Sequence, residues 1–184
     1  MTGMVRTTVG TILRLYPLGE DGLIVSWCTA DGGMVRTAAR GARRPGSESC
    51  GRIDLFHECE LTYRPAKKGD LGSLRSTTLL SPRLPLRREL SKLRLASYLC
   101  ALLSCTVEPE DGNPAWHSLL AAALDYLCTS PARPAVLERF ERRLAELHGI
   151  YSPSISPHRA LAQHFMPHLP GGRESLFAPP GAQL

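Results

Sequence analysis

Over residues 7–80 apolar positions recur with a period of two in short runs separated by turn-forming residues, the spacing of strands whose alternate side chains face a core. Residues 7–15 are rich in β-branched types and place Val9, Leu13 and Leu15 on one face. A turn at 16–22 leads into 23–29, where Leu23, Val25 and Trp27 share a face. Asp31-Gly32-Gly33 is a hairpin signal, and 34–39 returns as a third strand. Residues 55–64 set Leu55, His57, Cys59, Leu61 and Tyr63 against Phe56, Glu58, Glu60, Thr62 and Arg64, and a turn at 65–70 opens a fifth strand at 71–80. Five short strands, with a long connection between the third and fourth, predict a small Greek-key barrel of the oligonucleotide-binding (OB) type; an SH3-like barrel gives a similar periodicity.

From Leu86 the period lengthens. Leu86, Leu90, Leu93, Ser97 and Cys100 fall three or four apart, and 96–105 is apolar nearly all round, as in a helix buried in a bundle. Asn113-Pro114 is a helix-start signal ahead of a stripe running from Trp116 to Cys128. Ser130 and Pro131 are expected to open a third helix with Leu137, Phe140, Leu144 and Leu147 inward, Glu138 and Arg142 paired outward, and Gly149 as its stop. Beyond Ile150 six prolines punctuate the chain, leaving room for a short helix at 156–165 with Leu161 and Phe165 inward. The expected class is α+β: a five-stranded OB-fold barrel at 1–80, an all-α domain at 81–165, and a proline-rich, disordered tail at 166–184.

Charge sharpens this division. Residues 1–94 hold sixteen lysines and arginines against nine carboxylates, whereas 95–184 hold six against eight, so the net +5 conceals a basic first half. Such asymmetry suits a half that meets a polyanion and a half that packs or binds protein. The densest stretch is Ala38-Ala39-Arg40-Gly41-Ala42-Arg43-Arg44-Pro45-Gly46-Ser47; between Arg36 and Arg52 five arginines face one carboxylate, Glu48. Arginine forks match phosphate oxygens, and glycine lets a backbone turn close to a ligand. The first turns of the 86–105 helix add Arg87, Arg88, Lys92 and Arg94, a cost to the helix dipole that suggests a nearby phosphate path.

Other chemistry is sparse. No nucleophile elbow, phosphate-cradling Gly-x-x-x-x-Gly-Lys or paired metal-carboxylate motif occurs, so the expectation is a protein that is not an enzyme and needs no cofactor. His158, His164 and His168 have loose ligand spacing, but Pro167 interrupts any common helical face, and no metal is expected there. No secretory leader or bilayer-length apolar run is seen, and six cysteines stand without a Cys-x-x-Cys pair, which reads as a cytoplasmic protein with reduced thiols. Tyr16, Trp27, Phe56 and Tyr63 are the aromatics available for base stacking, although each sits in or beside a strand face where a core role is the simpler reading.

The turn Tyr16-Pro17-Leu18-Gly19-Glu20, the block Ala39-Arg40-Gly41-Ala42-Arg43-Arg44-Pro45-Gly46-Ser47, Leu71-Gly72-Ser73-Leu74 and the segment from Phe140 to Gly149 resemble the bacterial recombination mediator family RecO over residues 5 to 150. The resemblance implies an OB barrel followed by helices and a non-catalytic protein of the nucleoid. It further implies binding of single- and double-stranded DNA, strand annealing, contact with the tail of single-stranded DNA-binding protein, and, with RecR, loading of RecA. On this chain the implied DNA residues are Arg40, Arg43 and Arg44. Arg36, Arg52, Lys67 and Lys68 follow from charge and loop placement, and Arg87 and Arg88 from the helix start. The family often carries a four-cysteine zinc module after the glycine matching Gly149; no cysteine follows that position here. Two rival readings are a protein-interaction adaptor whose barrel is scaffold and an RNA-binding barrel.

Overall fold

A computed structural model describes residues 4–178 except Gly32, Glu48 and Glu110. The first unit comprises residues up to Arg83 together with Val107–Ser118, and the second comprises Leu84–Thr106 and the chain from Leu119 onward. Five strands, β1 (Arg6–Leu18), β2 (Gly22–Thr29), β3 (Gly33–Ala39), β4 (Glu58–Arg64) and β5 (Leu71–Ser81), close into a barrel in the order β1-β2-β3-β5-β4. All pairings are antiparallel except β3 with β5, where Arg36, Thr37 and Ala38 run parallel to Leu71, Gly72 and Ser73. This is the OB-type closure expected from the strand spacing, and closure removes the edges that an open five-stranded sheet would expose.

Two local departures from simple alternation have physical causes. A bulge in β1 between Ile12 and Arg14 inserts a residue, so fully buried Ile12 joins the core beside Leu15, while the face expected to carry Leu13 is broken. The fourth strand begins at Glu58 rather than residue 55 because Phe56 adopts a left-handed φ of 67°; its N–H donates to Ile12 O (3.0 Å) and its ring is buried. Ile12, Val25, Trp27, Cys59, Leu61 and Tyr63 fill the barrel, and the Trp27 indole donates to Thr37 Oγ1 at 2.9 Å, so the largest core side chain leaves no buried donor unmet. Gly32 of the expected hairpin lies outside the described residues.

Residues 107–118, within the stretch expected as the all-α domain, belong to the barrel unit. Pro109 bridges Gly33 and Met34 at the start of β3, and a Cβ on Gly33 would lie 2.2 Å from Asp111 O, so only glycine fits there. Buried Arg83 donates to Thr11 Oγ1 (3.1 Å) and Phe56 O (3.0 Å) and pairs with Glu58 at 3.2 Å, while His117 Nε2 lies 3.4 Å from the same carboxylate.

In the second unit a short 3-10 turn (Leu84–Arg87) precedes α1 (Leu90–Thr106). Arg87 and Arg88 therefore lie ahead of the helix rather than in its first turn, and buried Lys92 is paired with Glu89 at 2.9 Å, which lowers the dipole cost argued from sequence. The next helix, α2 (Ala115–Thr129), opens as expected, with Asn113 Oδ1 accepting from the Ala115 N–H at 3.0 Å. The third, α3 (Pro134–Leu147), opens at Pro134 instead of Ser130-Pro131: the residue before a proline avoids the helical region, Arg133 is extended, and the Ser130 N–H still closes α2 on Tyr126 O. Gly149 (φ 69°) ends it, with the Ile150 N–H returning to Ala145 O. Then α4 (Pro157–Phe165) is capped by Ser156, buries Leu161 and packs on α3, where Phe165 tilts against His148 with ring centroids 4.8 Å apart.

Residues 166–178, which proline content alone reads as unstructured, form turns that bury Leu176 and send Arg173 back to α3. Both oxygens of fully buried Glu141 accept from Arg173 at 2.7 Å, and His158 Nδ1 lies 3.3 Å from the same carboxylate. Residues 179–184 lie outside the described residues. No helix among the described residues is long and apolar enough to cross a membrane.

Candidate nucleic-acid interface

The basic loop leaves β3 at Ala39 and is pinned to the barrel at both ends, because Ala42 and Ile53 are buried in the core cluster. Between those anchors the backbone turns repeatedly: Arg44 N–H to Gly41 O, Ser47 N–H to Arg44 O and Cys50 N–H to Ser47 O, with Gly41, Gly46 and Gly51 at φ between 68° and 78°. An arginine-rich stretch is thereby held as a compact, exposed ledge. The one carboxylate that sequence places in it, Glu48, lies outside the described residues.

The three leading arginines differ in what holds them. Arg43 caps the β1–β2 turn, its guanidinium donating to Glu20 O and Gly19 O and its N–H to Asp21 O. Arg44 Nε donates to the Asp21 carboxylate. Arg40 is exposed with no partner among the described residues. Of the others, Arg36 pairs with Asp70 at 2.6 Å, and that hydrogen bond, more than any other cause, holds the Asp70 carboxyl below its ordinary value. Arg52 donates to Thr77 O (3.1 Å) while remaining exposed, and Lys67 and Lys68 project from the β4–β5 turn. Arg40, Arg43, Arg44, Arg36, Arg52, Lys67 and Lys68 are thus all carried by one barrel, whereas Arg87 and Arg88 are exposed residues of the second unit.

Two clefts open on this barrel. One, of about 220 Å³, is lined by Ala38, Arg40, Arg64, Pro65, Leu71 and its neighbours Gly72 and Ser73. The other, of about 310 Å³, shares Pro65 and Gly72 and adds Arg6, Arg36 and Asp70. Sequence reasoning missed Arg64, which alternation assigns to a polar strand face; the turn at Pro65 and the residue-72 glycine are the only signals that a cleft forms beside it. It also missed Arg83, which sits in the proline-rich stretch where the strand pattern ends and is 3% exposed. Of the four aromatics considered for stacking, Trp27, Phe56 and Tyr63 are core, and only Tyr16 is exposed. His164 Nδ1 is engaged with Ala160 O (2.9 Å) and His158 faces Glu141, so these two imidazoles serve the helical packing rather than a shared centre.

A closed OB barrel bearing an exposed, phosphate-compatible arginine ledge and continued by helices defines a class of two-part proteins built on an oligonucleotide-binding fold. Family models described as "Recombination protein O N terminal" and "Recombination protein O C terminal" match residues 1–83 and 87–155. The chain is 32% identical over 132 residues to a DNA repair protein RecO of Anaeromyxobacter sp. (strain K), covering 72% of this chain and 52% of the relative. It is 32% identical over 163 residues to a DNA repair protein RecO of Acidithiobacillus ferrooxidans, covering 84% and 62%. The chain belongs to the RecO family, and it spans between about half and three fifths of the length of these two relatives.

Proposed function

We propose that this protein acts in DNA repair as a non-catalytic DNA-binding mediator: its barrel binds single- and double-stranded DNA through the phosphate backbone and brings complementary strands together. The observation that carries this reading is the Arg40 ledge, an exposed guanidinium with no acid partner among the described residues, on an OB barrel whose cleft walls add Arg6, Arg36 and Arg64. Annealing requires no bond chemistry. Two polyanions repel, and a surface that neutralises phosphates on both lowers the barrier to base pairing, driven by counterion release. With Trp27, Phe56 and Tyr63 committed to the core, backbone contact rather than stacking supplies the affinity, and sequence preference is weak. The test is annealing of two complementary fluorescent oligonucleotides: the protein should accelerate pairing several-fold at low salt, Arg40→Gln should lose most of that, and an RNA pair accelerated equally would favour the RNA-binding reading.

A second observation favours a partner for the helical unit. Between α2 and α3 lies a groove of about 380 Å³ walled by Leu119, Ala123, Tyr126, Val136 and Phe140 and rimmed by Arg139 and Arg143. An apolar floor with two arginines at its edge fits an acidic peptide with an apolar end, such as the tail of single-stranded DNA-binding protein. Contact with RecR and loading of RecA belong to the same role. A labelled peptide of that tail should bind in the micromolar range and lose about tenfold in affinity with Arg139→Glu; unchanged binding would place the tail elsewhere.

A further inference from the structure

The cleft beside Arg40 contains a group that neither packing nor any ion pair explains. Arg64 ends β4, and its Nε is buried without a hydrogen-bond partner. A buried N–H on a cation that lacks an acceptor carries a desolvation cost, which an anion held against the same guanidinium offsets. The Arg64 side chain itself lines that cleft. Arg40 stands on another part of its wall, no carboxylate lies among its described lining residues, and Ser73 adds a hydroxyl. The position is fixed by backbone: Arg64 pairs with Ser73 across β4 and β5, Ala38 pairs with Ser73 across the parallel seam, and a Cβ on Gly72 would come 2.7 Å from Arg64 O. Two guanidiniums, one at the end of β4 and one in the loop just after β3, therefore border a recess with no carboxylate among its described lining residues, whereas Arg43, Arg44 and Arg36 already hold protein oxygens.

We infer that Arg64 and Arg40 form a seat for one phosphodiester at the β3–β5 seam, and that the strand continues past Pro65 and Gly72 into the adjoining cleft toward Arg6. The inference rests on the DNA-binding reading above and adds to it the residue that accepts the phosphate most deeply. A guanidinium fork gives two parallel bonds to a phosphate and is stronger in a recess than on a flat surface. It also gives the strand a fixed register on the barrel.

The test is binding of labelled (dT)12 to the full chain by fluorescence anisotropy over a salt series, with Arg64→Gln, Arg64→Lys, Arg40→Gln and, as a control for bulk charge, Arg14→Gln, which alters an exposed β1 residue outside both clefts. Arg64→Gln should weaken binding about tenfold at low salt and flatten the log–log salt slope by about 0.7, the release expected for one phosphate of a single strand. Arg40→Gln should do likewise, and Arg14→Gln should change affinity less than twofold. If Arg64→Gln fails to fold by thermal melt, Arg64→Lys, which keeps the charge but not the fork, should still lose several-fold. Folded Arg64 variants that bind as the wild type does, or an Arg14→Gln loss equal to that of Arg64→Gln, overturn the seat while leaving the DNA reading intact. A wild-type chain that does not bind (dT)12 overturns both.

Discussion

At the scale of single residues, burial decides which reactive groups are available. Cys28 and Cys59 sit in the barrel core, where desolvation pushes their thiols up to about 12 and about 11, with the Glu58 charge adding to the effect on Cys59. Only a thiolate alkylates, so iodoacetamide at pH 8 should modify exposed Cys50 within minutes and leave Cys28 and Cys59 untouched until the chain is denatured, as peptide mass mapping would register. Modification of Cys28 in the folded protein would contradict the closed core. The same two thiols make stability pH-dependent. Their folded values lie above the ordinary 9.0, the folded state holds its protons longer, and stability present below pH 9 is lost as pH rises toward 11–12. Arginine roles divide on similar grounds. Arg40, Arg43 and Arg44 are indistinguishable in sequence, and the position of Asp21 and the β1–β2 carbonyls separates two loop-holding arginines from the one with no partner among the described residues.

At the scale of elements, the helical unit is fastened by a contact that periodicity does not encode. Glu141 falls between inward Leu137 and Leu144 on α3, is fully buried, and is clasped by Arg173 from the segment after α4. Removing one partner of such a pair leaves a buried charge uncompensated, so Arg173→Ala should destabilise the protein by about 3–5 kcal/mol in urea unfolding. A change below about 1 kcal/mol would mean that the pair behaves as a surface salt bridge. Strand periods, helix spacing and the Asn113 and Gly149 end signals were legible because they are local and repeat along the chain. Long-range pairings such as Arg173 with Glu141, Arg83 with Glu58, and Pro109 with β3 join residues tens of positions apart, and no local pattern marks them. The same holds for the site. The loop that carries the charge was readable, but the recess at Arg64 exists only where β3 meets β5 in parallel, a pairing between strands separated by more than thirty residues. The β1 bulge and the left-handed Phe56 were likewise invisible, because each is a backbone exception that tertiary closure imposes on a run with ordinary strand composition.

At the scale of the whole molecule, charge divides along the chain. Residues 1–94 carry the excess of basic groups, and the helical unit carries an apolar groove with an arginine rim; under the proposed function the first would engage a nucleic acid and the second a protein tail. Attraction between a basic surface and a polyanion is long-ranged and sequence-tolerant, properties suited to a mediator that must engage any strand. The central claim is that the barrel binds DNA through its phosphates, and the measurement that reaches it most directly is the affinity of the wild-type chain for labelled single- and double-stranded oligonucleotides of mixed sequence between 50 and 200 mM salt. The account predicts a linear log–log fall of at least about tenfold, as expected for three or more neutralised phosphates, with little change between sequences of equal length. Affinity that does not vary with salt, or tight binding confined to one sequence, would contradict it.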